Sequence, residues 1–190
     1  MKILLPFCVA LILFGCTSTE NKTNSSDSLK TVVNDDSAQI TAVKNYYTWY
    51  NDHIKELYKF DLVKNCPNNG DTTLVYRVNF DETEKWLKAF QSSGFVSDNF
   101  ITKWRAYFEK CDKDLAEEKA WDGPPDGFDY DFIFNSQDDG PTNEQLQNAK
   151  LVKSEIKNGK TKITLAVPGY YDSLRNVVEK TPDGKWKVAE

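Results

Sequence analysis

The sequence predicts an α+β domain, in which three helices pack on a curved antiparallel sheet of about four strands. Two observations favour this class. The first part of the body has apolar residues at spacings of three and four, which is the helical period. Its last part has short alternating runs separated by turn residues, which is typical of hairpins in an antiparallel sheet.

Residues 1–15 are typical of a secretory signal peptide. One lysine precedes an unbroken apolar run from Ile3 to Phe14, which is too short to span a bilayer. Cys16 directly follows Gly15, and a cysteine after a small residue is the acceptor arrangement of bacterial lipoproteins. We therefore expect cleavage before Cys16 and acylation of its thiol, which would anchor the chain in a membrane.

Residues 16–37 are predicted to form a flexible tether, because they are mostly polar and show no apolar period. Residues 38–190 have the length of one ordinary domain. Thr17, rather than an aspartate, follows the expected lipidated cysteine, so the sorting rule of enteric bacteria favours the outer membrane by analogy. The expected location is therefore the bacterial cell envelope, with the membrane as a partner through the lipid anchor.

The first helix is expected from Ala38 to Tyr58, where one apolar stripe follows the helical period. A second stripe of Tyr46, Trp49 and His53 runs beside it. A helix that is apolar or aromatic over more than half its circumference must contact more than one layer. The second stripe therefore faces either a cavity at the sheet edge or the third helix.

Two more helices are expected before the final strands. The second opens at residues 81–84, a run typical of a capping box, and the third extends from Ser97 to about Lys119. The third helix carries its own aromatic stripe. Trp104 and Phe108 on this stripe are expected to pack against the first helix, because one sheet face cannot cover both stripes.

Several segments alternate apolar and polar residues and are therefore predicted to be strands. Two of them are Thr72–Phe80 and Phe128–Phe134. Two hairpins are expected to follow, Lys150–Ile156 with Lys162–Val167 across Asn158-Gly159, and Leu174–Lys180 with Lys185–Ala189 across Pro182-Asp183-Gly184.

Cys66 and Cys111 are predicted to form a disulfide bond, because an even pair of cysteines in an oxidising envelope favours bridging. The alternative is two buried free thiols, since Cys111 lies on an apolar helical stripe where a free cysteine packs well. A zinc site is not expected, because the sequence has no C-x-x-C pair.

Composition and motifs argue against several classes of function. The chain carries 24 basic and 29 acidic residues, a net charge of −5, and has no basic patch typical of nucleic-acid-binding proteins. It has neither a G-x-S-x-G nucleophile motif nor a glycine-rich phosphate loop. We therefore expect no nucleic-acid partner, no metal and no cofactor.

The preferred hypothesis is a non-catalytic module that binds an unknown small molecule or an envelope protein. Tyrosine and tryptophan suit such a surface, because they combine apolar area with a polar group. The candidate ligand-binding residues are Tyr46, Trp49, Tyr50 and His53. The alternative is a hydrolase or lyase that uses Asp129 and Asp131 with His53. Both aspartates are weak candidates, because alternating acidic residues on a strand most simply form a solvated face.

Four regions of the chain carry a resemblance across nearly the whole body. They are Val43–Tyr50, Ser97–Ile101, Phe128–Asp131 with Gln137-Asp138, and Gly184–Val188. In order and spacing they resemble an uncharacterised family of bacterial envelope lipoproteins, the domain of unknown function 3828. The resemblance implies a nuclear-transport-factor-2-like, or cystatin-like, α+β cone with a long helix across a curved antiparallel sheet. That fold hosts enzymes and binding modules alike, so the resemblance implies no activity and transfers no functional residue.

Overall fold

The computed structural model describes residues 36–65, 75–117, 125 and 127–190. The helices among them are α1 (Asp36–Leu57), α2 (Phe80–Ser93), α3 (Asp98–Glu117) and α4 (Asn143–Gln147). The strands are β1 (Val63–Lys64), β2 (Arg77–Val78), β3 (Lys150–Lys157), β4 (Lys160–Ala166), β5 (Ser173–Lys180) and β6 (Trp186–Val188). The predicted α+β class is confirmed.

The N-terminal predictions fall mostly outside the described residues. These predictions are the signal peptide of residues 1–15, the lipidated Cys16 and the greater part of the tether. The described chain begins with α1 at Asp36, so the helix starts two residues before its predicted boundary. None of the helices that the structure describes is long and apolar enough to cross a membrane.

Helix α1 contacts two layers, as its two stripes predict. The residues buried on it are Gln39, Val43, Tyr46, Tyr47, Tyr50 and Leu57. This buried surface covers more than one narrow stripe because α1 lies on β5 and β6 and also packs against α2. Asp36 in the first turn is favourable, because a carboxylate stabilises the positive end of the helix dipole.

Strands β3 to β6 form one antiparallel sheet in chain order. Asn158 and Gly159 join β3 to β4 with φ values of 52° and 74°, and a type I′ hairpin requires positive φ at both positions. Alternate residues of the central strands are buried, namely Thr161, Ile163 and Leu165 on β4 and Leu174, Asn176 and Val178 on β5. Both terminal hairpins therefore have the predicted pairing.

The rings of α1, α2 and α3 form a continuous cluster, which we call the aromatic core. Phe90 of α2 lies at its centre, with ring centroids 4.3–6.3 Å from those of Tyr46, Trp49, Tyr50, Trp86 and Phe100. Phe100 makes the ring contact from α3 to α1, at 5.9 Å from Tyr46.

Trp104 and Phe108 were expected to pack directly against the first helix. Their ring contacts in the aromatic core are instead with Trp86 of α2 and with Phe132. Phe100, one turn earlier on α3, takes the expected position because α2 lies between the rest of α3 and α1.

The predicted strand Thr72–Phe80 is only partly present. Some of it lies outside the described residues, β2 is two residues long and pairs with β1, and Phe80 already begins α2. Asn79 is the N-cap of α2 and makes no side-chain capping bond. The capping box predicted at residues 81–84 is therefore wrong.

The segment Phe128–Phe134 is not a strand. It folds back at Asp131, whose N–H donates to the Ser136 carbonyl at 2.8 Å and whose carbonyl accepts from the Ser136 N–H at 3.3 Å. Phe132 contacts rings of α2 and α3, whereas Phe134 stacks on a tyrosine of α1. The alternating aromatic residues therefore pack on helices rather than within a sheet.

Helix α4 has no counterpart among the predictions. Thr142 Oγ1 accepts from the Gln145 N–H at 3.2 Å, and Gln145 Oε1 accepts from the Thr142 N–H at 2.8 Å. This is a capping box, and its T-x-x-Q signal is present in the sequence. Five residues are too few to show helical periodicity.

Cys111 is buried on α3 as a free thiol. Burial raises the pKa of this thiol, while a hydrogen bond with the Tyr107 side chain acts in the opposite direction. Its predicted partner Cys66 lies outside the described residues, so the disulfide stays a prediction.

Candidate functional site

The candidate site is built around the carboxylate of Asp131. Oδ2 accepts hydrogen bonds from the hydroxyls of Tyr50 at 2.7 Å and Tyr58 at 2.9 Å. Oδ1 accepts from the backbone N–H groups of Ile133 and Phe134, both at 2.8 Å. Four donors fill the acceptor positions that a carboxylate offers, so the side chain is held in one orientation.

Two elements bring these groups together. Tyr50 lies on α1 and Tyr58 follows its last residue, about two helical turns further on. Asp131 opens the turn that closes at Ser136, and its Oδ1 bonds the N–H groups two and three residues later. Aspartate suits this position because its short side chain can mimic a backbone turn.

Phe134 fixes the turn on α1. Its ring stacks on Tyr47 with a centroid distance of 5.3 Å and meets Tyr50 edge-on at 5.4 Å. Gly140 lies so close to the Phe134 ring that an added Cβ would stand 2.2 Å from a ring carbon. Any larger residue at position 140 would therefore displace the ring that holds the turn.

The electrostatic environment keeps both tyrosines neutral. Burial, followed by the charge of Asp131, raises the pKa of Tyr50 far above its ordinary value. Desolvation and the same carboxylate raise the pKa of Tyr58 to about 12. Both hydroxyls therefore stay protonated at neutral pH and act as hydrogen-bond donors, not as bases or nucleophiles.

Two adjoining cavities lie beside these tyrosines. The aromatic cavity has a volume of about 300 Å³, and its lining includes Tyr50, Tyr58, Phe60, Trp86, Phe128, Tyr130 and Phe132. The acidic cavity has a volume of about 570 Å³, and its lining includes Asp129, Asp131, Asp138 and Asp139. Tyr58, Phe128 and Tyr130 line both, and we call the two cavities together the cleft.

The structure separates the four residues that were predicted to bind a ligand. Tyr50 lines the cleft, whereas Tyr46 is buried and lines a third cavity of about 320 Å³ between α1, α3 and β5. Trp49 is half-buried against Phe90 and His53, and neither Trp49 nor His53 lines any of these three cavities. The single concave surface predicted for this stripe is not formed, because α2 fills the space beside it.

The arrangement required by the hydrolase or lyase hypothesis is not formed by the described contacts. His53 is exposed, and its Nδ1–H donates to the Trp49 carbonyl at 2.8 Å. Asp129 accepts from the Gln137 amide at 3.0 Å. Within the part of the chain that the structure describes, His53 makes no hydrogen bond or ion pair with Asp129 or Asp131. Asp131 also differs from the predicted solvated face, because it is partly buried and hydrogen-bonded.

Among the cleft residues that were not predicted are Tyr58, Phe128 and Tyr130, which line both cavities. One signal for Tyr58 exists, because Tyr50, Ile54 and Tyr58 recur every four residues along one side of the first helix. No local signal indicates that Asp131 meets these tyrosines, since the two contacts join residues 81 and 73 positions apart.

The carboxylates of the cleft do not form a metal site. Among the described residues, no group of three or more histidine, cysteine, aspartate or glutamate side chains is arranged to hold a metal ion. Hard cations require several oxygen ligands at once, and the described carboxylates provide no such group.

Comparisons with protein-family models, with curated proteins and with solved structures find no match to this chain. The resemblance to the domain of unknown function 3828, and the cone fold that it implies, therefore stay predictions.

Proposed function

We propose that this chain is a lipid-anchored protein of the bacterial cell envelope whose body is a non-catalytic binding module. The cleft is the binding site and a small molecule is its ligand. The observation that carries this proposal is the carboxylate of Asp131, which lines the acidic cavity and accepts hydrogen bonds from Tyr50 and Tyr58, two tyrosines that line the aromatic cavity.

The size and lining of the aromatic cavity support a small ligand. Its volume of about 300 Å³ lies at the lower end of the range for small-molecule sites. Its walls combine aromatic rings with the polar groups of Tyr58, Tyr130 and Asp61, and rings of this kind contact ligands at low conformational-entropy cost. Asp131 ties Tyr50 in the C-terminal half of α1, and Tyr58 just after its last residue, to the turn that closes at Ser136, so the cavity wall is held in place without a ligand.

The hydrogen bonds of Asp131 favour binding over catalysis. A general base needs a free lone pair within reach of a substrate proton. Both oxygens of Asp131 already accept two hydrogen bonds each, and the hydroxyl of Tyr58 donates its hydrogen to Asp131. Asp131 and its two tyrosines maintain the shape of the cleft. The ring faces and the remaining carboxylates are left to contact the ligand.

The anchor is tested separately from the site. Labelling of cells with a palmitate analogue should mark the wild-type chain and should not mark Cys16→Ala, which lacks the acceptor thiol. Membrane fractionation of the labelled cells then distinguishes the outer from the inner membrane. Equal labelling of both chains would contradict lipid anchoring at Cys16.

The site is tested by a fragment screen on the detergent-solubilised full chain, with empty micelles as the blank. Phe128→Ala removes a ring shared by both cavities and should weaken each hit about 5- to 30-fold, because one ring face contributes on the order of 1–2 kcal/mol. Ile156→Ala removes an exposed apolar side chain on β3 and is the matched control. Hits that bind Phe128→Ala as well as the wild type would contradict the cleft as the site.

A further inference from the structure

We infer that the ligand of the cleft is an organic cation with an apolar body, such as an aliphatic or aromatic amine. This inference rests on the proposed function and specifies its ligand class. Three features of the described residues support it, namely the charge of the lining, the position of the rings and the absence of a metal-binding group among the described carboxylates.

The lining of the cleft is strongly acidic. Asp129, Asp131, Asp138 and Asp139 line the acidic cavity, and Asp61 lines the aromatic cavity. Lys55 is the only basic residue among the described residues that line either cavity. Carboxylates are ionised at neutral pH, so the cleft repels anions and attracts a positive charge.

The rings stand where the two cavities meet. Tyr58, Phe128 and Tyr130 line both of them, so these rings border the apolar and the acidic space alike. The face of an aromatic ring attracts a cation through its quadrupole, and the same face packs against an apolar chain. An amine with an apolar body satisfies both cavities at once, with the body among the rings and the ammonium among the carboxylates.

An inorganic cation fits the cleft less well than an organic one. A metal ion would need several oxygen ligands close together, and no such group exists among the described residues. An ammonium group needs only one or two acceptors in a field of negative charge. The apolar volume beside the carboxylates would also remain empty with a metal ion, whereas an apolar body fills it.

The test uses three probes that share one phenylbutyl body and differ in the charge of the head group: 4-phenylbutylammonium, 4-phenylbutanol and 5-phenylpentanoate. Each is titrated by calorimetry into the detergent-solubilised full chain, with the titration into empty micelles subtracted. The ammonium probe should bind about tenfold more tightly than the alcohol, and the carboxylate probe should bind most weakly. The preference for the ammonium probe should shrink as salt is raised, because the carboxylates at the rim are exposed.

Variants that remove charge test whether the preference for the ammonium probe arises at the cleft. The double variant Asp138→Asn with Asp139→Asn should weaken the ammonium probe several-fold and leave the alcohol within about twofold of the wild type. The control is Asp81→Asn with Asp98→Asn, which removes the same net charge from exposed first turns of α2 and α3. This control should leave all three affinities unchanged.

The outcomes separate the two proposals. Equal affinity for the three probes, or a preference for the carboxylate probe, would contradict an organic cation as the ligand. The proposed binding function of the cleft would then stand without a preference for positive charge. The organic cation is also overturned if the cleft variant and its control weaken the binding of the ammonium probe equally. The negative charge would then act from the whole surface and not from the cleft. Failure of all three probes to bind at millimolar concentration counts against the proposed function itself.

Discussion

The aromatic core and the terminal sheet are stabilised in different ways. The sheet is built from hairpins whose partners are close in sequence, such as Lys157 opposite Lys160, and its turn conformations are local. The aromatic core joins rings from three helices and from the segment after α3, across separations of tens of residues. Local pairing makes the sheet predictable from the sequence. The aromatic core is less predictable, because its contacts depend on which distant elements pack together.

The same difference governs where a site can form. The sheet hairpins satisfy their own backbone groups and leave little room for a cavity between paired strands. Residues 127–142, the described segment between α3 and α4, pair with none of the strands β1 to β6, and two of its backbone N–H groups bond to Asp131. Its side chains are therefore free to line a cleft.

The largest effect is expected at the centre of the aromatic core. Phe90→Ala removes a fully buried ring that contacts five others, and should lower the free energy of unfolding by about 3–5 kcal/mol. Phe80→Ala, on the same helix but 40% exposed, should cost much less. Urea unfolding of both variants measures the difference. Equal losses would mean that the core is not centred on Phe90.

The next largest effect is expected at Asp131. Asp131→Ala removes the acceptor of four hydrogen bonds and should cost about 2–4 kcal/mol, since two tyrosine hydroxyls and two backbone N–H groups lose their partner. Asp129→Ala, which removes one exposed hydrogen bond, is the control and should cost under about 1 kcal/mol. Thermal melts that coincide for the two variants would show that Asp131 does not hold the turn.

A smaller effect, dependent on pH, is expected where α3 meets β2. Hydrogen bonds from Arg77 are the main cause that lowers the pKa of Asp112, and the Val78 N–H adds to them at 3.0 Å. A lowered pKa stabilises the fold above the pKa of the unfolded state, and this stability is lost as pH falls below about 4.

The contribution is isolated by comparing the wild type with Asp112→Asn. The free energy of unfolding of the wild type should exceed that of the variant by about 1–2 kcal/mol at pH 6. This difference should decrease as the pH falls toward 3. Unfolding in urea at several pH values measures it. A gap that stays constant with pH would show that the charge of Asp112 contributes nothing.

The smallest effect is expected in the sheet. Gly159 has a φ of 74° and no atom within 4 Å of an added Cβ, so Gly159→Ala costs only the backbone strain, about 1 kcal/mol. Lys157→Ala, at the exposed end of β3, is the control and should be near neutral. A loss as large as that of Asp131→Ala would mean that the hairpin turn is as critical as the long-range contacts.

The sequence by itself determines the parts of this protein whose signals are local. The three- and four-residue spacing predicts α1 almost to its ends, and Asn158-Gly159 predicts the β3–β4 hairpin with its turn type. A helical period and a turn dipeptide act over a few residues, so no knowledge of distant partners is needed. The α+β class follows from their order along the chain.

Only the tertiary structure decides the site. The alternation at residues 128–134 is compatible with a strand, and it becomes a turn because rings of three helices, rather than a neighbouring strand, receive its side chains. Tyr50 and Tyr58 share one side of a helix in the sequence pattern, but their partner Asp131 is more than seventy residues away. Burial of rings against one another is non-directional, so the sequence alone does not specify which of them pair, and the cleft forms where they do.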